Sequence, residues 1–190
     1  MSRTFKSKDE LRKFIWKSIE RFSKFPPPYG RIPNFVGAEK ACERLRELEA
    51  YRRARVVFCA PDSPLKRARE IVLEDRKTLI VAKPKMTGFL LVKRGSTIKE
   101  MLRFGREVDP RDFEVDLIVQ GCVAVDRLGN RVGKGSGFGD REYELLRKSK
   151  DCVYVVVAHP VQVFDDIGYL MEEHDVKVDV ILTPDGIIRC

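Results

Sequence analysis

The sequence predicts a single α/β domain with three layers, in which helices cover both faces of a mostly parallel sheet. Short apolar runs of strand length, such as residues 56–59, 78–82 and 152–158, alternate with longer stretches of helical periodicity. Strands that alternate with helices build parallel sheets through right-handed crossovers. The chain has 190 residues, which is long enough for one domain with a sizeable core.

The elements follow one another from a capped helix onward. Ser7 and Glu10 form a capping box for a helix over residues 8–22, and the proline-rich segment 25–30 ends that helix. We expect residues 1–190 to form one domain, with segment 1–36 packing on the α/β core. The other predicted elements are helices over 38–51, 64–73, 97–104 and 140–148 and strands over 56–59, 78–82, 114–119, 152–158 and 178–183.

Composition excludes a disordered chain and indicates no membrane segment. Hydrophobic residues make up 43% and charged residues 35%, and no apolar run approaches the length of a bilayer-spanning helix. The first six residues lack the apolar segment of a signal peptide, so we expect a cytoplasmic protein. Five scattered cysteines favour reduced thiols over disulfides or a zinc site. The net charge of +8 favours anionic partners, although charge of both signs also suits a heat-tolerant surface.

A glycine-rich loop at residues 131–141 is the strongest functional signal. Its sequence, Arg-Val-Gly-Lys-Gly-Ser-Gly-Phe-Gly-Asp-Arg, has a glycine at every second position over seven residues, which no helix or strand interior favours. A helix is expected to follow directly. Free N–H groups of such a loop and the positive end of the helix dipole bind anions together. With Lys134 and Arg131 beside it, the loop is predicted to hold phosphate; a surface turn without a ligand is the alternative.

Two further features allow a functional and a structural interpretation. Lys8 and Arg12 lie one turn apart and share a helix face, which spacing alone would place against solvent. Asp179 interrupts an apolar strand, where an unpaired carboxylate is costly. Either a metal ion or a salt bridge to Lys177 or Arg131 would compensate that cost.

Three separated motifs resemble the 5-formyltetrahydrofolate cyclo-ligase family, whose members are also called methenyltetrahydrofolate synthetases. Residues 126–137 are similar to the family's glycine loop, D-x-x-G-x-R-L-G-x-G-x-G-Y-Y-D. Residues 173–179 are similar to the ending E-H-D-x-x-V-D, and Lys8 and Arg12 match K-x-x-L-R. The subgroup of methenyltetrahydrofolate synthetase domain-containing proteins shares further stretches with this chain, at residues 31–35, 61–65 and 178–184.

The resemblance implies a reaction and a set of site residues. Family enzymes use ATP and magnesium to convert 5-formyltetrahydrofolate to 5,10-methenyltetrahydrofolate. Lys134 and Arg131 are the implied catalytic residues, because phosphoryl transfer needs charge neutralisation. Asp140 and Asp179 match magnesium positions, and carboxylate oxygens suit that ion; an N-cap role is the alternative for Asp140. The implied nucleotide-binding residues are Lys8, Arg12, Gly133, Lys134, Gly135, Ser136, Gly137, Phe138 and Gly139.

Two departures from the family pattern affect the folate side. Phe138 and Gly139 stand where the family has paired tyrosines. Segment 61–66 lacks the family's acidic E-x-D-T-like motif, although Asp62 offers a carboxylate there. We therefore predict three functions in descending order: a cyclo-ligase for 5-formyltetrahydrofolate or a related formyl-pterin, a nucleotide-binding domain without turnover, and a basic RNA-binding module.

Overall fold

The computed structural model describes residues 3–190; Met1 and Ser2, with which the predicted domain begins, lie outside the described residues. The α-helices are α1 Lys8–Ile19, α2 Ala38–Glu43, α3 Glu49–Arg53, α4 Lys66–Glu74, α5 Ile98–Phe104 and α6 Phe138–Leu145. The strands are β1 Val56–Cys59, β2 Thr78–Ala82, β3 Phe89–Val92, β4 Arg106–Val108, β5 Val115–Gly121, β6 Ala124–Asp126, β7 Arg131–Val132, β8 Lys148–Val157, β9 Val163–Phe164, β10 Val180–Leu182 and β11 Ile187–Arg189.

Eight of these strands form one sheet in the order β11-β10-β8-β5-β1-β2-β3-β4. The five central strands, from β10 to β2, are parallel, and antiparallel strands extend the sheet at both edges. The apolar runs of the central strands are buried, as expected for parallel strands covered on both faces. The predicted α/β fold with a mostly parallel sheet is therefore confirmed.

The first helix begins where the capping box predicts. The Ser7 hydroxyl accepts a hydrogen bond from the Glu10 N–H at 3.1 Å, and the α-helix passes into a 3₁₀ turn at Glu20–Phe22. Its buried residues Leu11 and Ile15 pack in a small second core. That core lies against a three-stranded sheet of order β7-β6-β9, which alternation of helices and strands does not predict.

Local differences from the predicted elements are of two kinds. The helix expected over residues 38–51 is divided into α2, a 3₁₀ turn at Arg44–Glu47, and α3, because Leu48 has an extended backbone with ψ of 125°. Strands β3, β4 and β11 were not predicted; they are short antiparallel strands of three or four residues, and β4 and β11 form the two edges of the sheet. Within residues 3–190, no helix combines the length and apolar character that a bilayer span requires.

Candidate active site

A cavity of about 410 Å³ opens at the carboxyl ends of the parallel strands. Ala60 and Lys83 directly follow β1 and β2, and Gln120 is the next-to-last residue of β5; all three line the cavity. Parallel strands end at the same edge of a sheet, so the loops that follow them converge. The glycine loop forms a further wall, and the start of α1 contributes Lys8 and Arg12.

The glycine loop has a backbone that depends on its glycines. Gly135 and Gly137 have φ angles of 105° and 73°, in the left-handed region that residues with a Cβ atom avoid. Gly137 directly precedes α6. A Cβ atom at Gly139 would lie 2.6 Å from the Arg131 guanidinium. The backbone conformation of the loop therefore depends on glycine at these positions. Residues 133–139 all line the cavity.

The face of α1 that carries Lys8 and Arg12 is docked against this loop. The Arg12 Nε donates a hydrogen bond to the Gly133 carbonyl at 2.8 Å, although the two residues are 121 positions apart. The Lys8 ammonium pairs with the Asp175 carboxylate at 2.6 Å. Lys134 also lines the cavity, with its Nζ 5.7 Å from the centre of the Phe138 ring. The alternative of a solvated helix face is thus excluded for Lys8 and Arg12.

Arg131 lies beneath the loop and is only 8% exposed. Its Nε donates to the carbonyl of Gly121 at 2.9 Å, at the end of β5. Its Nη1 lies 3.8 Å from the Asp140 carboxylate in the first turn of α6. The side chain therefore ties the glycine loop to the central sheet and also contributes charge to the cavity lining.

Two further acidic residues, Glu142 and Asp62, line the cavity. Glu142, on α6, is 5% exposed, and its Oε2 accepts a hydrogen bond from Gln120 Nε2 at 2.7 Å. Burial, and then the neighbouring charge of Asp62, raises the pKa of Glu142 to about 8. Burial likewise raises the pKa of Asp62, against the opposing charges of Lys134 and Arg131. The cavity therefore combines cationic and acidic groups in one enclosed volume.

The buried Arg69 fixes the segment that carries Asp62. Arg69 is 2% exposed and donates hydrogen bonds to the carbonyls of Ala60 at 2.8 Å, Ser96 at 2.9 Å and Asp62 at 3.1 Å. A buried guanidinium is tolerated where carbonyl oxygens satisfy its donors. This cation from α4 thus determines the course of the main chain directly after β1.

The comparison with known families agrees with this geometry. A model of the 5-formyltetrahydrofolate cyclo-ligase family matches residues 4–184. The chain belongs to this family. Its curated relatives include the methenyltetrahydrofolate synthase domain-containing protein of Bos taurus, which is 37% identical over 203 residues. That alignment covers 96% of this chain and 53% of the relative, so this cyclo-ligase family member spans about half the length of the curated relatives it matches.

Solved structures support the fold of the family member. The 5,10-methenyltetrahydrofolate synthetase of Aquifex aeolicus superposes with a TM-score of 0.66 at 24% identity, covering 96% of this chain and 92% of that one. The 5,10-methenyltetrahydrofolate synthetase of Mycoplasma pneumoniae superposes with a TM-score of 0.61 at 15% identity, covering 92% and 97%. At these identities the likeness establishes the fold alone.

The structure separates the two predicted magnesium ligands of the cyclo-ligase family member. Asp140 lines the cavity, but Asp179 lies at the amino end of β10, beside a second cavity. The Asp179 carboxylate accepts the Tyr154 N–H at 2.8 Å, so a backbone donor provides the compensation that we assigned to a metal or a salt bridge. Asp140 and Asp179 do not form one ion site. The acidic residue that the C-terminal motif brings to the cavity is Asp175.

Sequence reasoning missed four residues of the site. Asp175 lies inside the E-H-D motif and could have been found there, since Lys8 and the motif both match the family. Gln120 ends an apolar strand, and a polar residue at a carboxyl strand end is a signal for a site. Glu142 and Arg69 each lie on a charged helix, where nothing in the sequence distinguishes a buried charge from a solvated one.

Proposed function

We propose that the protein is an ATP- and magnesium-dependent cyclo-ligase that converts 5-formyltetrahydrofolate, or a related formyl-pterin, to the 5,10-methenyl form. The formyl oxygen would displace ADP from the γ-phosphorus; N10 would then close the ring, and phosphate would leave. Family membership supports the reaction class. The observation that carries the proposal for this chain is the docking of Arg12 on the glycine loop, which lines the cavity together with its own Lys134.

The proposed role of the cavity cations is charge neutralisation. Phosphoryl transfer spreads negative charge over the transferring oxygens, and positioned cations stabilise that charge. Lys134 and Arg12 are placed for this role, with the backbone of the loop between them. Arg131 fits a positioning role, because its hydrogen bond to Gly121 holds the loop on the sheet. The glycines at 135 and 137 keep the approach to the main chain free of side chains.

Magnesium fits the oxygen donors that the cavity offers. Asp140 and Asp175 line the cavity, and each already faces a cation, Arg131 for Asp140 and Lys8 for Asp175. Carboxylate oxygens are the ligands that this hard ion prefers. When bound, magnesium would neutralise phosphate charge and orient the nucleotide. We propose these two residues as its protein ligands, in place of the pair Asp140 and Asp179.

Turnover by the purified protein tests the proposal. With 5-formyltetrahydrofolate, ATP and magnesium, we expect phosphate release together with growth of the methenyl chromophore. Omission of ATP or addition of a chelator should stop both signals. If neither product forms across a panel of formyl-pterins, the cyclo-ligase assignment fails.

A second candidate is a nucleotide-binding domain without turnover. Phe138 and Gly139, in place of the family's tyrosines, favour it, because two hydroxyl groups and one ring are lost from the cavity lining. In that case ATP would raise the melting temperature of the protein while no phosphate is released. The two candidates are thus separated by measuring nucleotide binding and turnover on the same sample.

A further inference from the structure

The strongest unassigned feature of the cavity is the side chain of Glu142. The residue is 5% exposed, and its Oε2 is held by Gln120 Nε2 at 2.7 Å. Within residues 3–190, its Oε1 has no hydrogen-bond partner, yet no buried side-chain oxygen or nitrogen is left without one. Oε1 is therefore accessible, and because Glu142 lines the cavity, that access is from the cavity.

Neighbouring groups fix the orientation of this carboxylate. Gln120 Nε2 also donates to the Gly139 carbonyl at 3.0 Å, and the Tyr154 hydroxyl donates to Gln120 Oε1. Every polar atom of the Gln120 amide is thus engaged, which leaves the amide no freedom to rotate. The free lone pairs of Glu142 are consequently presented to the cavity in one orientation.

A second carboxylate adds to the acidic character of this region. Asp62 lines the same cavity, and within the described part of the chain its carboxylate has no ion-pair partner. Neither acidic group offers a hydrogen-bond donor that an anionic ligand group would need, once it is ionised. Ligand groups with N–H donors match the acceptor oxygens of Glu142 and Asp62, while Lys134 suits the anionic groups of a ligand.

We infer that Glu142, positioned by Gln120 and assisted by Asp62, recognises the amino-substituted ring of the substrate through an amidine-type edge with N–H donors on adjacent nitrogens. The inference rests on the proposed function, because it places the heterocycle of the formyl-pterin beside Glu142 and Asp62. A 2-amino-4-oxopteridine has such an edge, formed by its 2-amino group and N3–H. A 2,4-dioxopteridine lacks it, because an oxygen acceptor replaces the amino donor.

Competition between these two pteridines at the wild-type protein provides the first test. We expect pterin, the 2-amino-4-oxo compound, to bind at least about tenfold more tightly than lumazine, the 2,4-dioxo compound, as one net hydrogen bond would give. Isothermal titration calorimetry with each compound measures the ratio. Equal affinities, or binding of neither compound, would overturn the inference without any variant being needed.

Glu142→Gln then tests the residue itself. Its amide oxygen can still accept from Gln120 Nε2, while its amide nitrogen turns a donor toward the cavity. We expect the preference for pterin to fall to about twofold or less, since a donor replaces the acceptor oxygen that the 2-amino group would bind. Glu144→Gln, an exposed position on the same helix, should leave the preference unchanged. A full preference for pterin in Glu142→Gln would contradict the assignment.

ATP binding by the same variants separates this inference from the proposed reaction. Melting temperatures with and without ATP should shift equally in the wild type and in Glu142→Gln, which also verifies that the variant is folded. A full pterin preference that persists in Glu142→Gln, with intact ATP binding, overturns only the recognition role. A pterin preference that depends on Glu142, without any ATP-dependent turnover, overturns only the proposed reaction.

Discussion

The two ends of the parallel strands carry cavities of opposite character. At the amino ends, a cavity of about 860 Å³ includes Asp116 and Asp179, and both carboxylates accept backbone N–H groups at 2.8–3.0 Å. At the carboxyl ends, the smaller cavity of about 410 Å³ includes Glu142 and Lys134, whose polar ends reach into it. Cavity size therefore does not identify the functional end.

The state of the charged groups distinguishes the two ends. A carboxylate that accepts backbone N–H groups has its buried charge compensated by the fold. A buried carboxylate with a free oxygen costs stability, and such costs concentrate where a ligand is bound. At the carboxyl ends of the strands, the buried carboxyl group of Glu142 lowers the stability of the fold. At the amino ends, the carboxylate of Asp179 does not, because it accepts a backbone N–H.

The largest expected effect concerns the buried cation at the carboxyl end. Arg69→Met should lower the free energy of unfolding by about 3–5 kcal/mol, because three carbonyl groups lose their donor in a buried position. The matched control at the amino end is Arg53→Met, whose guanidinium pairs with Glu49 on an exposed helix face. Denaturant unfolding should show a change below about 0.5 kcal/mol for that control. Similar losses for both variants would break the contrast between the two ends.

A pH-dependent gain in stability is expected from Glu142→Gln. Because burial raises the folded pKa of Glu142 from 4.5 to about 8, the folded state holds its proton more tightly than the unfolded chain does. Stability is then fully present below about pH 4.5 and is lost as pH rises toward 8. The variant avoids this loss, so it should be more stable than the wild type by about 2–3 kcal/mol near pH 9 and nearly equal near pH 5.

Urea unfolding of the metal-free protein over this pH range measures the effect. Glu144→Gln provides the comparison, since its side chain is exposed on the same helix. If Glu142→Gln follows the wild type at every pH, the carboxyl group of Glu142 does not lower the free energy of unfolding at high pH.

A smaller effect, on nucleotide affinity, is expected when a lysine at the carboxyl ends of the strands is substituted, and none when a lysine at the amino ends is substituted. Lys134→Ala should weaken ATP binding by about tenfold or more, as for the loss of one charged hydrogen bond. Lys150→Ala removes a lysine that lines the amino-end cavity and should leave ATP affinity unchanged. Calorimetric titration with ATP and magnesium compares the two variants. Equal weakening would indicate a diffuse effect of net charge instead of a phosphate site.

The smallest effect distinguishes the two aspartates that were predicted as one metal site. Asp179→Ala should cost about 1 kcal/mol of stability through the loss of the Tyr154 N–H acceptor, with no change in the magnesium dependence of ATP binding. Asp140→Asn should raise the magnesium concentration required, with little change in stability. Magnesium titrations at fixed ATP would reverse our assignment if Asp179 proved to be the sensitive position.

Local sequence signals predicted those parts of the fold that local physics determines. Strands β1 and β2 were predicted with their observed bounds, because apolar runs between helical segments specify buried strands. The Ser7 cap is also a local signal, because the hydroxyl group of an N-cap residue accepts a hydrogen bond from a free N–H in the first turn of the helix. The small sheet of β6, β7 and β9 was missed, since strands of two or three residues leave no periodic pattern.

The sequence by itself determined the fold class, the family and the presence of a glycine loop next to cations, because each is recognised from the order of short local patterns along the chain. Tertiary structure decided which charges meet. Strand register placed Asp179 at the amino end of β10 and left Asp175 beside Lys8. Helix packing turned Glu142 inward, while Glu144, two residues later, remained exposed. The reason is that burial and pairing of a charge depend on groups far apart in sequence, which no local pattern encodes.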